Sequence, residues 1–296
     1  MKHDPVPVSV TLAGHDVVAV SVAGVQTCIQ LPQLDLCFDI GRCPISAVHR
    51  RTVLVTHGHV DHLGGIVHHV SLRAMWRLSP SRVVVPRAIA ADVEELLATW
   101  RRISHTDLPC EVIGIDPGER VALGKGVVAL ALRSSHRVPT VAYLLERTRN
   151  RLRSELVGLS GPQIAARRAA GELVSEPYTS TEVGFTADSR AALLDREPRL
   201  LDARLLVCEC TFVDDPRKEM DPEVAARADR TGHLRLHDLV QRADRFQNEA
   251  ILLTHFSTRY SVDRIREAMT ALPDGLRRRV AALPLLTEPP VGLTRR

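Results

Sequence analysis

Aromatic side chains are scarce in this 296-residue chain, where two Trp, three Tyr and five Phe amount to 3%. A broad platform for stacking single-stranded bases is thereby excluded, and any nucleic acid would be gripped through phosphates and shape. Lysine is rarer still, confined to Lys2, Lys125 and Lys218, so arginine carries the basic charge. The net charge of +4 permits an RNA partner without demanding one. Six cysteines (Cys28, Cys37, Cys43, Cys110, Cys208, Cys210) form no C-x-x-C pair. They read as reduced thiols of a cytoplasmic protein, with Cys208 and Cys210 as alternate residues of a buried strand. No apolar run approaches the roughly 20 residues of a membrane span, and the first residues are charged rather than an apolar signal segment. The expectation is a soluble protein without a membrane partner.

A hydrophobic content of 45% is enough for a sizeable core, and the length suits one large domain or two small ones. Residues 6–12, 17–22, 27–31, 36–40 and 52–56 read as short strands with closely spaced turns, the pattern of antiparallel sheet. Helical apolar spacing covers 63–78 and 88–103 around a short strand at 82–85. Strands return over 110–145. From 146 to 177 the pattern changes, with Arg147, Arg149, Arg151 and Arg153 alternating ahead of Gly158-Leu159-Ser160-Gly161-Pro162, as in an inserted arm. Strands at 183–186, 205–208 and 251–253 and helices at 234–246 and 262–269 complete the chain. Each half gives strands followed by helices, with no internal repeat visible. The economical α/β architecture is two sheets packed face to face with helices on the outer faces.

The most informative run is Thr56-His57-Gly58-His59-Val60-Asp61-His62-Leu63-Gly64-Gly65, directly after the apolar Val53-Leu54-Val55. Residues two apart on extended backbone share a face, so His57 and His59 can grip one ion. Asp61 and His62, one turn on, can hold a second. Imidazole with carboxylate is a mixed shell suited to catalytic zinc rather than to a thiolate-rich structural site. Packing alone gives no reason to crowd four groups that are costly to desolvate, whereas the scattered His3, His15, His49, His68, His69 and His105 read as ordinary surface or hydrogen-bonded residues. Three further candidates end apolar strands: His136, Asp188 and His255. Strand ends converge on one rim of a sandwich. His57, His59 and His136 would bind one zinc and Asp61, His62 and His255 the other, with Asp188 bridging. Water between two such ions loses a proton near neutral pH and becomes a nucleophile, which Asp61 could orient.

With these residues in hand, the chain resembles the metallo-β-lactamase superfamily, and more narrowly the short-form, plant-type ribonuclease Z enzymes that remove 3′ trailers from precursor tRNA. The narrower resemblance rests on Phe38-Asp39-Ile40-Gly41-Arg42-Cys43-Pro44, Gly158 to Gly171, Cys208-Glu209-Cys210-Thr211-Phe212, Gly232-His233-Leu234, and Leu253 through Tyr260. The resemblance implies one metallo-β-lactamase-type αββα domain over 1–296 and a zinc-dependent endoribonuclease that leaves a 3′-hydroxyl, with Mn2+ or another divalent ion as an alternative to zinc. By similarity, Glu209 and His233 supply the proton to the departing oxygen, and Arg259 contacts a phosphate. The segment 146–177 matches the family's tRNA-clamping arm, and a homodimer acting on precursor tRNA, not DNA, is implied.

Two departures stand out. Ala187-Asp188-Ser189 replaces the family's Gly-Asp-Thr, so that the tighter turn a glycine allows should be lost. Gly14-His15-Asp16 stands where many bacterial members have a Gly-rich opening. The rival readings are a hydrolase of another phosphodiester or of a small ester, lactone or thioester on the same fold, and a tRNA-binding protein whose cleavage has lapsed.

Overall fold

Alternation along the apolar strands sends neighbouring side chains into different layers. In the computed structural model of the protein, which describes residues 5–214 and 221–287, Leu54 faces a core between two sheets while Val53 and Val55 face outward toward helices. Leu205 and Val207 likewise enter the inter-sheet core, and Leu206 and Cys208 the opposite helical layer. Three apolar layers therefore hold four layers of structure. The architecture is an αββα sandwich of two seven-stranded mixed sheets. Lys2, His3 and Lys218 lie outside the described residues.

One sheet runs in sequence order through β1 (Val8–Leu12), β2 (His15–Val22), β3 (Gln26–Leu31), β4 (Leu36–Phe38), β5 (Thr52–Leu54), β6 (Ser81–Pro86) and β7 (Cys110–Ile115). Its first four strands are an antiparallel meander, and β4 to β7 pair in parallel. The second sheet comprises β8 (Arg120–Gly124), β9 (Val127–Arg133), β10 (Val141–Leu152), β11 (Ser175–Phe185), β12 (Leu205–Glu209), β13 (Ala250–Thr254) and β14 (Val280–Ala282), also in chain order. It repeats the same plan, four antiparallel strands and then parallel pairing from β11 to β14. Phe38 at the end of β4 stacks on Phe185 at the end of β11 with centroids 4.7 Å apart, joining the two sheets at equivalent points.

Several sequence expectations need correction. The strand at 52–56 belongs to the parallel part of its sheet, because the intervening chain crosses back through the 3-10 turn Ile45–His49. Much of the segment 146–177 is a continuation of the β10–β11 hairpin, whose ladder runs out to Leu152 opposite Ser175, beyond a bulge at Leu145/Glu146. The helix Gly161–Ala169 lies in the connection, started by a Ser160–Gln163 capping box. The expected helix at 234–246 is interrupted, reduced to Leu236–Val240 and a 3-10 turn at Ala243–Arg245, and a helix at Pro222–Thr231 precedes it. His233 consequently sits between the two helices. Among the described residues no helix is long and apolar enough to cross a membrane.

Candidate metal centre

Each apolar strand that ends on one rim of the sandwich delivers a polar side chain there. β5 leads into His57 and His59, β9 into His136, β11 into Asp188, β12 ends on Glu209, and β13 leads into His255. The turn after β5 is held from behind by the loop that follows β4: the Ile40 amide donates to the His62 carbonyl at 2.7 Å and the Gly65 amide to the Ile40 carbonyl at 2.8 Å. A Cβ on Gly41 would lie 2.2 Å from the Asp61 carbonyl oxygen, so this approach requires glycine.

The seven residues expected to hold two ions come together. Ligand atoms of His57, His59, His136 and Asp188 lie within 4.8 Å of one another, as do those of Asp61, His62 and His255. His57 Nε2 is 2.9 Å from His59 Nδ1, and His62 Nε2 is 3.3 Å from His255 Nε2. The Asp188 carboxylate stands between the groups, with Oδ2 3.7 Å from His57 Nε2 and 3.5 Å from His62 Nε2, and Oδ1 3.5 Å from His255 Nε2. Asp61 Oδ2 is 3.6 Å from His62 Nε2 and accepts the Gly24 amide at 2.7 Å.

The outer hydrogen bonds decide which nitrogens face inward. The Gly232 carbonyl accepts from His136 Nδ1 at 2.9 Å, which leaves His136 Nε2 buried with no partner. Asp39 accepts from His62 Nδ1 at 2.7 Å. Thr56 donates its hydroxyl to Asp39 and accepts from His57 Nδ1 at 2.9 Å, while Thr211 donates to Glu209 at 2.6 Å and accepts from His255 Nδ1 at 2.9 Å. The Nε2 atoms of four histidines are thus turned toward the cluster, the arrangement of ligands oriented from outside. Burial keeps His57, His59 and His136 below the ordinary imidazole pKa, hence neutral and able to ligate. Burial opposes ionisation of Asp188, but His255, His62 and His57 outweigh it and hold its carboxyl well below the usual range. This donor set fits divalent cations.

On the rim, Glu209 Oε1 lies 3.1 Å from His233 Nδ1, and Glu209 also accepts the Ser189 amide at 2.7 Å. Burial disfavours a charged His233, yet Glu209 and Asp188 outweigh it and lift its pKa to about 9. Cations held alongside would oppose that lift. Arg259 is exposed in the turn after His255; its backbone amide meets Ser257 Oγ at 3.4 Å and its guanidinium pairs with no described carboxylate. In the arm, Arg151 and Arg153 pair with Glu176 and Glu155 at 2.8 and 2.7 Å, and Arg149 lies 3.6 Å from Glu182.

Sequence reasoning missed Asp39, Thr56 and Thr211 as orienting residues. Asp39 had a usable signal, since it ends an apolar strand as the ligands do. Thr56 and Thr211 had none. Ala187 corrects an expectation: it takes φ 55°, the left-handed conformation that glycine favours, so the turn before Asp188 survives as strained backbone. Asp39 (φ 58°) and His255 (φ 59°) are left-handed as well, concentrating strain at the centre.

A family model described as the Beta-lactamase superfamily domain matches residues 41–256. The chain is 34% identical over 274 residues to tRNase Z TRZ1 of Arabidopsis thaliana, spanning 92% of this chain and 96% of that protein. The chain belongs to the tRNase Z family of the β-lactamase superfamily. A second Arabidopsis thaliana relative of the same family, the chloroplastic tRNase Z TRZ2, is 32% identical over 93% of this chain and 76% of its own length. Solved structures share the family's fold: the metallo-β-lactamase fold protein YhfI of Bacillus subtilis (TM-score 0.59, 17% identity, 94% and 96% of the two chains) and the short form of human tRNase Z, ELAC1 (0.53, 16%, 87% and 94%).

Proposed function

We propose that this protein is a zinc-dependent endoribonuclease that removes the 3′ trailer from precursor tRNA and leaves a 3′-hydroxyl. One observation carries the reading: a hydrogen-bonded Glu209–His233 pair stands on the rim of a cluster of His and Asp side chains that could hold metal. Hydrolysis of a small substrate with a good leaving group, such as the thiolate of a thioester, needs no such pair, whereas the 3′-alkoxide of a ribose must be protonated as it departs.

His57, His59 and His136 would hold one zinc ion and Asp61, His62 and His255 the other, with Asp188 shared between them. When bound, the ions supply an acidified water and positive charge facing the phosphoryl oxygens. Asp61 orients that water through its free oxygen. His233 donates a proton from Nε2 to the departing 3′-oxygen, and Glu209, fixed by Ser189 and Thr211, holds its Nδ1–H and stabilises its charged form. Arg259 contacts a substrate phosphate. The segment 146–177 serves as a tRNA-binding arm whose arginines, mostly paired to neighbouring carboxylates, present shape more than free charge. The enzyme acts as a homodimer in the cytoplasm, a reducing setting supported by six unpaired cysteines.

The test is a precursor-tRNA assay with and without chelator. Trimming just after the discriminator base, abolished by chelation and restored by zinc, is expected. A metal-replete protein that hydrolyses small esters but leaves precursor tRNA intact would overturn the proposal.

A further inference from the structure

Beside His233 the molecule carries positive charge that the metal centre does not use. Phe212, whose ring centroid is 6.4 Å from that of His233, forms one wall of a cavity of about 330 Å³ that is also lined by Arg227, Arg230, Arg259 and Tyr260. Arg227 and Arg230 are exposed and three residues apart on the helix Pro222–Thr231, hence on one face of it. Neither makes an ion pair with any described residue, in contrast to Arg151 and Arg153 of the arm. Asp221 and Glu223 line the same cavity, but the Asp221 carboxylate caps its own helix by accepting the Glu223 amide at 2.8 Å. Three guanidiniums against these two carboxylates leave the cavity net positive, and packing does not require Arg227 or Arg230, since Ala228 is the helix's buried residue.

The same helix is rigidly tied to the centre. Gly232, at φ 80°, ends it and gives its carbonyl to His136, and a Cβ there would lie 3.0 Å from His136 Nδ1. Arg190 clamps the Asp229 carbonyl at 2.8 Å and the Ser135 carbonyl at 2.8 Å, locking the helix end to the loop that bears His136. The helix that carries Arg227 and Arg230 is therefore fixed relative to His136.

We propose that Arg227 and Arg230, together with Arg259, form a cleft for backbone phosphates on the 5′ side of the scissile bond, the 3′-terminal strand of the acceptor stem. The side follows from the chemistry. His233 protonates the departing 3′-oxygen, which belongs to the nucleotide 5′ of the cut, and the cleft adjoins His233 through Phe212. Phosphates entering it exchange counterions for fixed guanidiniums. The inference rests on the trailer-removal reading above.

The experiment uses the zinc-loaded full chain and compares wild type with R227A/R230A and R227K/R230K on precursor tRNA across a salt series. Zinc content and near-ultraviolet circular dichroism verify that each variant is folded. The Ala variant is expected to raise KM at least about tenfold with a smaller effect on kcat, and to make the dependence of log kcat/KM on log salt shallower by about 2, one for each lost contact. The Lys variant, which keeps the charge, should recover the wild-type slope. A precursor with methylphosphonates at the phosphates 5′ of the cut should impair wild type but not the Ala variant further. Unchanged KM and slope in the Ala variant, or sensitivity confined to methylphosphonates on the trailer side, would overturn the inference alone. Failure of the wild type to trim would overturn the trailer-removal reading and this inference with it.

Discussion

Replacing Asp39 by Asn probes how the centre is held, because that side chain touches no expected substrate and supports the cluster through one imidazole and one threonine. Asp39 is fully buried and accepts the Thr56 amide at 2.8 Å, the Thr56 hydroxyl at 3.0 Å and His62 Nδ1 at 2.7 Å. Asn is nearly the same shape but has one acceptor and one donor end. If its NH2 faces His62, two donors meet unless His62 moves its proton to Nε2, and the nitrogen aimed at the cluster then no longer has a lone pair. Loss of such an orienting partner weakens metal binding by about 10–100-fold, or about 1.4–2.7 kcal/mol. If the amide turns the other way, the buried Thr56 N–H loses its acceptor at a cost of about 1–3 kcal/mol of folding stability. Asp39→Asn must therefore lose zinc affinity, measured by competition with a chromophoric chelator, or stability, measured by urea denaturation of the apoprotein. A variant that matches the wild type in both would refute the orienting role.

Three other outcomes are expected. His233→Ala should slow trimming by about 10²–10⁴-fold while zinc content and tRNA binding stay nearly intact, and simultaneous loss of zinc would remove His233 from its assigned role. Ala187→Gly should stabilise the fold by about 0.5–1 kcal/mol, since relief of the left-handed strain exceeds the added chain entropy; a destabilised variant in thermal denaturation would contradict that balance. His69 is buried with both ring nitrogens unpartnered, and burial pushes its pKa down to about 3. Its neutral form contributes full stability above about pH 6.5, and that contribution falls away as the pH drops toward about 3. Relative to His69→Leu, the wild type should lose roughly 2.5 kcal/mol more between pH 7 and pH 4.5, and parallel pH profiles of the two proteins would count against this account.

The local sequence determined the elements and the chemistry. Alternating apolar runs dictated strands buried on both faces, and four metal-competent groups within Thr56–Gly65 had no packing explanation, so a candidate cation site was legible without coordinates. His136, Asp188 and His255 were legible for a related reason: a polar residue closing an apolar strand must emerge at a sheet edge. Tertiary structure decided what depends on contacts between distant segments. The matching topology of the two sheets cannot be read from the chain, because it lies in strand pairing and not in side chains. The shortened helix after His233, the left-handed Ala187 and the orienting bonds from Asp39, Thr56 and Thr211 are set by packing that overrides local preference. Whether an arginine is free or paired is likewise a tertiary fact. Folding brings carboxylates to Arg149, Arg151 and Arg153 of the arm and leaves Arg227 and Arg230 without an ion pair to any described residue.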